Sequence, residues 1–139
     1  MKPHFCPSRI VCLASALLTL AAGCGPPQLV LFPLSGKVLF RGKPVPGAEL
    51  AFHPLFDGPG WVPVAAAAPD GAFEAGTKWP GDGVLPGRYK VTVIWRPRVN
   101  EDGEGPNVLP PRYAQADTTD LEIEATRDES HPITLELKD

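Results

Sequence analysis

The fold is decided by the stretch Arg88-Tyr89-Lys90-Val91-Thr92-Val93-Ile94-Trp95-Arg96. Four of its residues recur at every second position and share one face: Tyr89, Val91, Val93 and Trp95. A period of two is the pattern of a β-strand that buries one face against a core. The stretch therefore predicts a central strand, with Lys90 and Thr92 on the opposite face.

Six further runs with the same period accompany this strand. The seven runs are Leu34–Phe40, Ala48–His53, Val62–Ala67, Ala72–Ala75, Arg88–Arg96, Thr119–Ala125 and Pro132–Lys138. Seven short strands separated by turn residues are typical of a two-sheet sandwich of about 100 residues. We therefore expect an all-β protein, a seven-stranded antiparallel β-sandwich.

Turn residues predict how the strands are joined. We expect Arg41–Gly47, which contains two glycines and two prolines, to join the first two strands as a hairpin. Asp70-Gly71 predicts a second hairpin, between the third and fourth strands. The long loop after Arg96 contains Arg112-Tyr113, which is either a binding element or an anchor. The anchor is favoured because a long unpinned connection is costly to keep ordered.

Composition excludes several classes of protein. Eighteen prolines in 139 residues leave little room for long helices, which rules out a helical bundle or a coiled coil. A formal net charge of −3 supplies no basic surface for a polynucleotide, so we expect no nucleic-acid partner. With 43% apolar residues, the chain can still bury a core.

Several motifs resemble those of the carboxypeptidase regulatory-like domain. They are Ser35-Gly36-Lys37-Val38, Gly42-Lys43-Pro44-Val45-Pro46-Gly47-Ala48, Phe52-His53-Pro54, Pro69-Asp70-Gly71-Ala72-Phe73 and Leu85-Pro86-Gly87-Arg88-Tyr89. Leu109-Pro110-Pro111-Arg112-Tyr113-Ala114 and Thr118-Thr119-Asp120-Leu121 are similar to a subgroup found in small bacterial lipoproteins. The resemblance covers about residues 34–137. It implies a transthyretin-like, immunoglobulin-like Greek-key sandwich, usually without catalytic activity of its own.

The N-terminal segment predicts export. Residues 1–9 carry two basic residues and no acid, and the apolar run Ile10–Ala22 follows. The run has 13 residues, within the roughly 7–15 of an export signal and short of the about 20 needed to span a membrane. Its end, Ala21-Ala22-Gly23-Cys24, resembles the lipobox of bacterial lipoproteins, although Ala21 replaces the usual Leu, Val or Ile. The resemblance implies cleavage before Cys24 and a diacylglyceryl thioether on its sulfur.

Two alternatives remain for this segment, an ordinary cleaved signal and an uncleaved anchor. Cysteine usage favours lipid attachment, since cleavage would leave Cys24 as the one cysteine of the mature chain. Residues 1–23 are then a lipoprotein signal peptide, 24–33 a lipid-anchored tether and 34–139 the β-sandwich domain. The expected location is the cell envelope. Gly25, where some bacteria use an aspartate to retain lipoproteins at the inner membrane, favours the outer membrane.

The tether contains an apolar run, Leu29-Val30-Leu31-Phe32. It either extends the first strand or lies at the membrane interface. We expect the strand, because an exposed run of this kind is an aggregation hazard.

The chain offers few groups for catalysis. The predicted mature part contains the serines Ser35 and Ser130 and the histidines His53 and His131, and no Gly-x-Ser-x-Gly motif. No spacing fits zinc, and the acidic loop 101–104 lacks the pattern of a calcium loop. We therefore expect no enzyme, no cofactor and no metal. An enzymatic rival, a transthyretin-related hydroxyisourate hydrolase, typically ends in Tyr-Arg-Gly-Ser, which this chain lacks.

Three tryptophans raise the possibility of glycan binding, since sugars stack on exposed indole rings. Trp95 shares the core face of its strand, so Trp61 and Trp79, both near loops, are the candidate ligand contacts. The competing interpretation is that these rings cap the ends of the core. The partners expected from sequence are a membrane, through lipid on Cys24, and an envelope protein or a glycan.

Overall fold

The protein is nearly all β. Its computed structural model describes residues 25, 28–101, 103–127 and 131–139. The strands in these ranges are β1 Ser35–Phe40, β2 Lys43–Pro44, β3 Glu49–Pro54, β4 Val64–Ala66, β5 Ala72–Glu74, β6 Gly87–Ile94, β7 Arg98–Asn100, β8 Gly103–Glu104, β9 Glu122–Ala125 and β10 Ile133–Leu137. A 3₁₀ helix covers Pro111–Ala114. The described residues hold no helix long and apolar enough to cross a membrane.

The strands form two four-stranded sheets and a separate ribbon. In sheet I, β1 pairs with β10 along one edge and with β5 and β2 along the other. Sheet II has the strand order β4-β3-β6-β9. The ribbon consists of β7 and β8. One hydrophobic core lies between the two large sheets, an arrangement consistent with a β-sandwich.

The central strand forms as predicted. Tyr89, Val91 and Val93 of β6 are fully buried, and Trp95, just after the strand, packs against the core while partly exposed. Strand β6 lies between β3 and β9 and pairs antiparallel with both. Alternation along the sequence therefore identified the strand and its buried face.

Two parts of the predicted strand arrangement are corrected. The described chain has ten strands, since β2, β7 and β8 were missed; two or three residues are too few to show an alternating pattern. The pairing is also not antiparallel throughout, because β1 and β10 run parallel, with Val38 opposite Leu135. Parallel neighbours are joined through a long crossover, which leaves no local signal in the sequence.

The first predicted hairpin is wrong. After a tight turn with positive φ at Arg41 and Gly42, the chain pairs antiparallel with β1 only over the two residues of β2. Strand β3 instead enters sheet II. The physical reason is that β5 pairs with Ser35–Lys37 on the same edge of β1, so the returning chain makes its last bond there from Val45 N–H to the Val38 carbonyl. The Val45 side chain turns into the core.

The second predicted hairpin forms its turn but not a continuous ladder. Gly71 has a positive φ, and Ala68 N–H donates to the Ala72 carbonyl at 2.7 Å. Strand β4 then pairs with β3 in sheet II, whereas β5 pairs with β1 in sheet I. Asp70-Gly71 therefore joins the two sheets at one corner of the molecule.

The apolar run before β1 does not extend that strand. Only Phe32 is bridged, exchanging hydrogen bonds of 2.8 and 2.9 Å with Val84. Pro33 lacks the N–H that continued pairing would need. Leu29 and Val30 are exposed.

The core is built from both sheets. Sheet I contributes Val38, Phe73, Leu135 and Leu137, and sheet II contributes Leu50, Phe52, Tyr89, Val91 and Val93. The rings of Phe52 and Phe73 meet across the core with centroids 5.9 Å apart. Burial of this apolar surface between the two sheets is the main contribution to the free energy that holds them together.

The Tyr89 side chain stabilises the turn that leads into β6. Its hydroxyl donates to the Leu85 carbonyl at 2.7 Å, which supplies the partner that a buried phenol needs. The edge of its ring meets the ring of Phe56 at a centroid distance of 5.3 Å. Burial raises the pKa of Tyr89 above 10.0, although the hydrogen bond with Leu85 works in the opposite direction.

Tyr113 anchors the long loop, as the favoured interpretation of Arg112-Tyr113 predicts. Its ring is buried, and its hydroxyl accepts from Lys138 N–H at 2.8 Å. Arg112 lies over the same ring and donates to the Lys138 carbonyl at 2.7 Å. The loop is thus tied to the chain that follows β10.

We predict that Tyr113→Phe destabilises the fold more than Tyr89→Phe. The Tyr113 hydroxyl accepts from both Lys138 N–H and Arg112 Nη2, and its removal takes away both bonds at a cost of about 1–3 kcal/mol. Removal of the Tyr89 hydroxyl leaves only a carbonyl lone pair and costs about 1 kcal/mol. Urea denaturation of both variants measures the difference. Equal stabilities, or a larger loss for Tyr89→Phe, would contradict the anchor.

Candidate functional site

A candidate site lies on the outer side of the molecule, where the two sheets meet. In sheet II, Ala51 of β3 is opposite both Val64 of β4 and Thr92 of β6. In sheet I, Lys37 of β1 is opposite Ala72 of β5. Residues paired across neighbouring strands point to the same side. All of these alternate with core residues, so they form the outer faces of the sheets.

The hairpin between β4 and β5 joins the two outer faces. Ala68 bonds Ala72 at one end of it, and Val64 and Gly76 exchange two hydrogen bonds of 2.9 Å at the other. A groove of about 1030 Å³ lies across this corner. Its lining includes the small apolar residues Ala51, Val64, Ala65, Ala66, Ala68 and Ala72. The groove exists because these side chains are short.

One wall of the groove is the loop of residues 77–83, which Asp82 holds in place. The Asp82 carboxylate accepts hydrogen bonds from the backbone N–H groups of Thr77, Lys78 and Trp79 at 2.6, 3.1 and 3.1 Å. Thr77 Oγ1 also donates to the Gly83 carbonyl at 2.7 Å. The loop that carries Trp79 is therefore fixed by its own polar groups.

The electrostatics of the loop follow from these bonds. Desolvation alone would raise the pKa of Asp82, but the three N–H donors and the nearby Lys78 ammonium outweigh it, so the pKa lies below the ordinary 3.8. The ionised carboxylate is the form that the loop binds. The hydrogen bonds between this carboxylate and the three N–H groups make their full contribution to the stability of the fold above pH 3.8. That contribution is lost as the pH falls through the pKa of Asp82 in the folded protein, which is lower than 3.8.

The structure separates the two candidate tryptophans. Trp79 is 74% exposed and lines the groove. Trp61 is half-buried beside Tyr89 in a different, very small pocket, and the Lys78 ammonium lies 4.7 Å from the centroid of its ring. Lys78 therefore covers one ring while its neighbour Trp79 stays open to solvent.

The groove combines apolar and charged surface. Four ionisable side chains of both signs line it: Lys37, Glu49, Glu74 and Lys78. Such a surface suits a ligand with an apolar face and polar edges, because the alanines and Trp79 give contact area and the charges give directional hydrogen bonds.

Other residues singled out from the sequence lie elsewhere. His53 Nε2 is 3.1 Å from Thr92 Oγ1, its one side-chain partner in the described part of the chain. A nucleophile needs a base and a third group that orients the base, and no such third group contacts His53 in these ranges. Within residues 28–101, 103–127 and 131–139, no three His, Cys, Asp or Glu side chains are placed to share a metal ion. Cys24 and Ser130 lie outside the described residues.

Comparison with protein-family models, with curated proteins and with solved structures found no match for this chain. The resemblance to the carboxypeptidase regulatory-like domain therefore rests on the motifs quoted above.

Sequence reasoning missed the groove and the role of Asp82. The run Val62–Ala67 has small side chains, which suit a closely approached or edge strand, and β4 within it is the edge of sheet II. The same small residues also leave the open space that forms the groove. An aspartate three to five residues after the amides that it binds was a usable signal for a fixed loop.

We predict that Asp82→Ala frees the loop without unfolding the sandwich. The amides of Thr77, Lys78 and Trp79 should exchange with deuterium faster, because they lose their common acceptor. The matched control is Asp70→Ala, which removes a single cap on Ala72 N–H at the far turn and should leave these amides unchanged.

The pH dependence gives an independent check on the same loop. In the wild type, the tryptophan fluorescence anisotropy, to which Trp79 contributes beside Trp61 and Trp95, should fall as the pH drops through the lowered pKa of Asp82, below 3.8. In Asp82→Ala it should be low already at neutral pH and show no such step. Identical pH profiles for the two proteins would contradict the role of Asp82.

Proposed function

We propose that this protein is a lipid-anchored β-sandwich module of the bacterial cell envelope with a non-catalytic structural or interaction role. One observation carries the proposal: the lipobox-like Ala21-Ala22-Gly23-Cys24 follows an apolar run of export-signal length and stands directly before the tether and the sandwich. A diacylglyceryl group supplies two hydrocarbon chains, the number needed for stable anchoring. Gly25, where some bacteria use an aspartate to retain lipoproteins at the inner membrane, also favours the outer membrane.

The fold agrees with the family that the motifs resemble. A carboxypeptidase regulatory-like domain is a transthyretin-like, immunoglobulin-like Greek-key sandwich, and two sheets around one core are the arrangement that it requires. The tyrosine hydrogen-bonded to a carbonyl four residues upstream is a feature of immunoglobulin-like sandwiches. The groove with Trp79 is the surface that such a module would offer to an envelope partner.

We predict that Cys24→Ser abolishes membrane anchoring. The wild-type protein should partition into detergent, and its intact mass should equal residues 24–139 plus an acyl-bearing glyceryl group. The variant lacks the sulfur that receives the glyceryl group, so it should carry no acyl mass. Cys12→Ser is the matched control, because it lies within the predicted signal peptide. A wild-type protein recovered unmodified and freely soluble would contradict the proposal.

A second candidate function is carbohydrate binding. The exposed ring of Trp79 beside a groove with carboxylates and ammonium groups favours it, since sugars stack on indole faces and hydrogen-bond at their edges. If the protein binds glycans, Trp79→Ala should abolish binding of cell-wall polysaccharide in calorimetry. Trp61→Phe should leave it unchanged, because Lys78 already covers that ring. Binding that survives Trp79→Ala would eliminate this candidate.

A further inference from the structure

The strand directions bring several loops to the end of the sandwich where the tether enters. Strands β1 and β10 run parallel and both begin there, whereas β5 is antiparallel to β1 and ends there. In sheet II, β3 and β9 end beside the start of β6. We call this end, formed by residues 28–34, 55–63 and 75–86, the tether pole.

Backbone hydrogen bonds hold the segments of the tether pole in place. Phe32, the last bridged residue of the tether, exchanges two bonds with Val84. Ala75 N–H donates to Leu34, and Leu55 N–H donates to Arg88, each at a distance of 2.8 to 2.9 Å. The direction in which the tether leaves the sandwich is therefore fixed relative to these loops.

Exposed apolar side chains concentrate at this pole. Eight large hydrophobic residues are exposed in the described ranges. Five of them belong to the tether pole: Leu29, Val30, Leu55, Val62 and Trp79. The long connection at the opposite end of β6 carries only Val99 and Val108. Clustered exposed apolar residues of this kind mark a contact surface.

Two cations cover aromatic rings of the same pole. The Lys78 ammonium lies over Trp61 at 4.7 Å, and the Arg127 guanidinium lies over Phe32 at 5.9 Å. Such side chains keep their charge at the edge of an apolar surface while their stems cover it. Trp79 itself is amphipathic, with an apolar ring and one N–H, the type of residue that is enriched at the boundary between lipid and water.

Chain length limits how far this pole can be from a lipid anchor. Eight residue steps separate Cys24 from Phe32. A fully extended chain covers at most about 3.6 Å per step, so the pole lies within about 29 Å of the acylated sulfur. Exposed Leu29 and Val30 lie within this span and shorten the distance when they enter the interface.

We propose that the tether pole rests on the lipid surface, with Trp79 inserted at the headgroup level. The proposal depends on the lipid anchor at Cys24. The contact is apolar rather than electrostatic, since residues 24–139 carry 11 basic and 16 acidic side chains, a net charge of −5, and are not attracted to anionic lipid. Raising the salt concentration should therefore not release it. The groove then opens beside the membrane, with the 77–83 loop at its lower wall.

The test uses the full chain, purified in detergent and shown by intact mass to carry its acyl groups. It is reconstituted into vesicles of phosphatidylethanolamine and phosphatidylglycerol with brominated acyl chains, which quench nearby indoles. The wild type should lose roughly a third of its emission, one tryptophan of three. Trp79→Phe should lose far less, because Trp61, the other tryptophan of the tether pole, is half-buried and covered by Lys78. Adding Val99→Trp to that variant places a reporter at the opposite end, and this reporter should stay bright.

The outcomes separate this proposal from the proposed function. Acylated protein whose Trp79 emission is unchanged by brominated lipid overturns the contact and leaves the anchor intact. Equal quenching of Trp79 and of the Val99→Trp reporter also overturns it, because the pole would then have no preferred orientation. Emission that responds to cell-wall polysaccharide but not to brominated lipid overturns it in favour of glycan binding. Protein without acyl mass overturns the proposed function and this proposal with it.

Discussion

The structure depends on β1 being paired along both edges. Strand β10 pairs parallel with one edge of β1, and β5 and β2 pair antiparallel with the other edge. Gly36 lies where these strands are closest: a Cβ there would sit 2.2 Å from the Ile133 carbonyl oxygen and 2.9 Å from the ring of Phe73. The missing side chain is what lets Phe73 pass beneath β1 and reach Phe52 of the other sheet. The strand pairing in sheet I and the packing of the core that it shares with sheet II therefore both depend on Gly36.

The functional surfaces follow from that pairing. Because β5 is held against β1, its hairpin with β4 joins the outer faces of both sheets and creates the groove. The chain that continues from β5 forms the loop that Asp82 fixes and that presents Trp79. The same end receives the tether at Phe32. The start of the sandwich at Phe32, an exposed indole and a groove are in this way set in fixed relation by backbone hydrogen bonds.

Sequence patterns predicted the local features of the fold, such as single strands and turns, and missed the pairing between strands far apart in the chain. The alternation in Arg88–Arg96 identified β6 and its buried face, and Asp70-Gly71 identified a real turn. The first hairpin failed because β5 occupies the rest of that edge of β1, and β3 pairs in the other sheet. The parallel pairing of β1 with β10 joins residues about a hundred positions apart, and no local pattern carries that information. Trp61 and Trp79 were equivalent candidates by residue type, and the structure distinguishes them by exposure, by the pocket that each lines and by Lys78, which covers Trp61.

The dependence on β1 is tested most directly by Gly36→Ala, compared with Gly103→Ala in the exposed ribbon, where a Cβ meets nothing within 4 Å. Urea denaturation of the two variants gives their free energies of unfolding. Overpacking should destabilise Gly36→Ala by about 1–3 kcal/mol, whereas Gly103→Ala should stay within about 0.5 kcal/mol of the wild type. Equal stability of the two variants would show that β1 is not held tightly between its neighbours and would contradict this account of the fold.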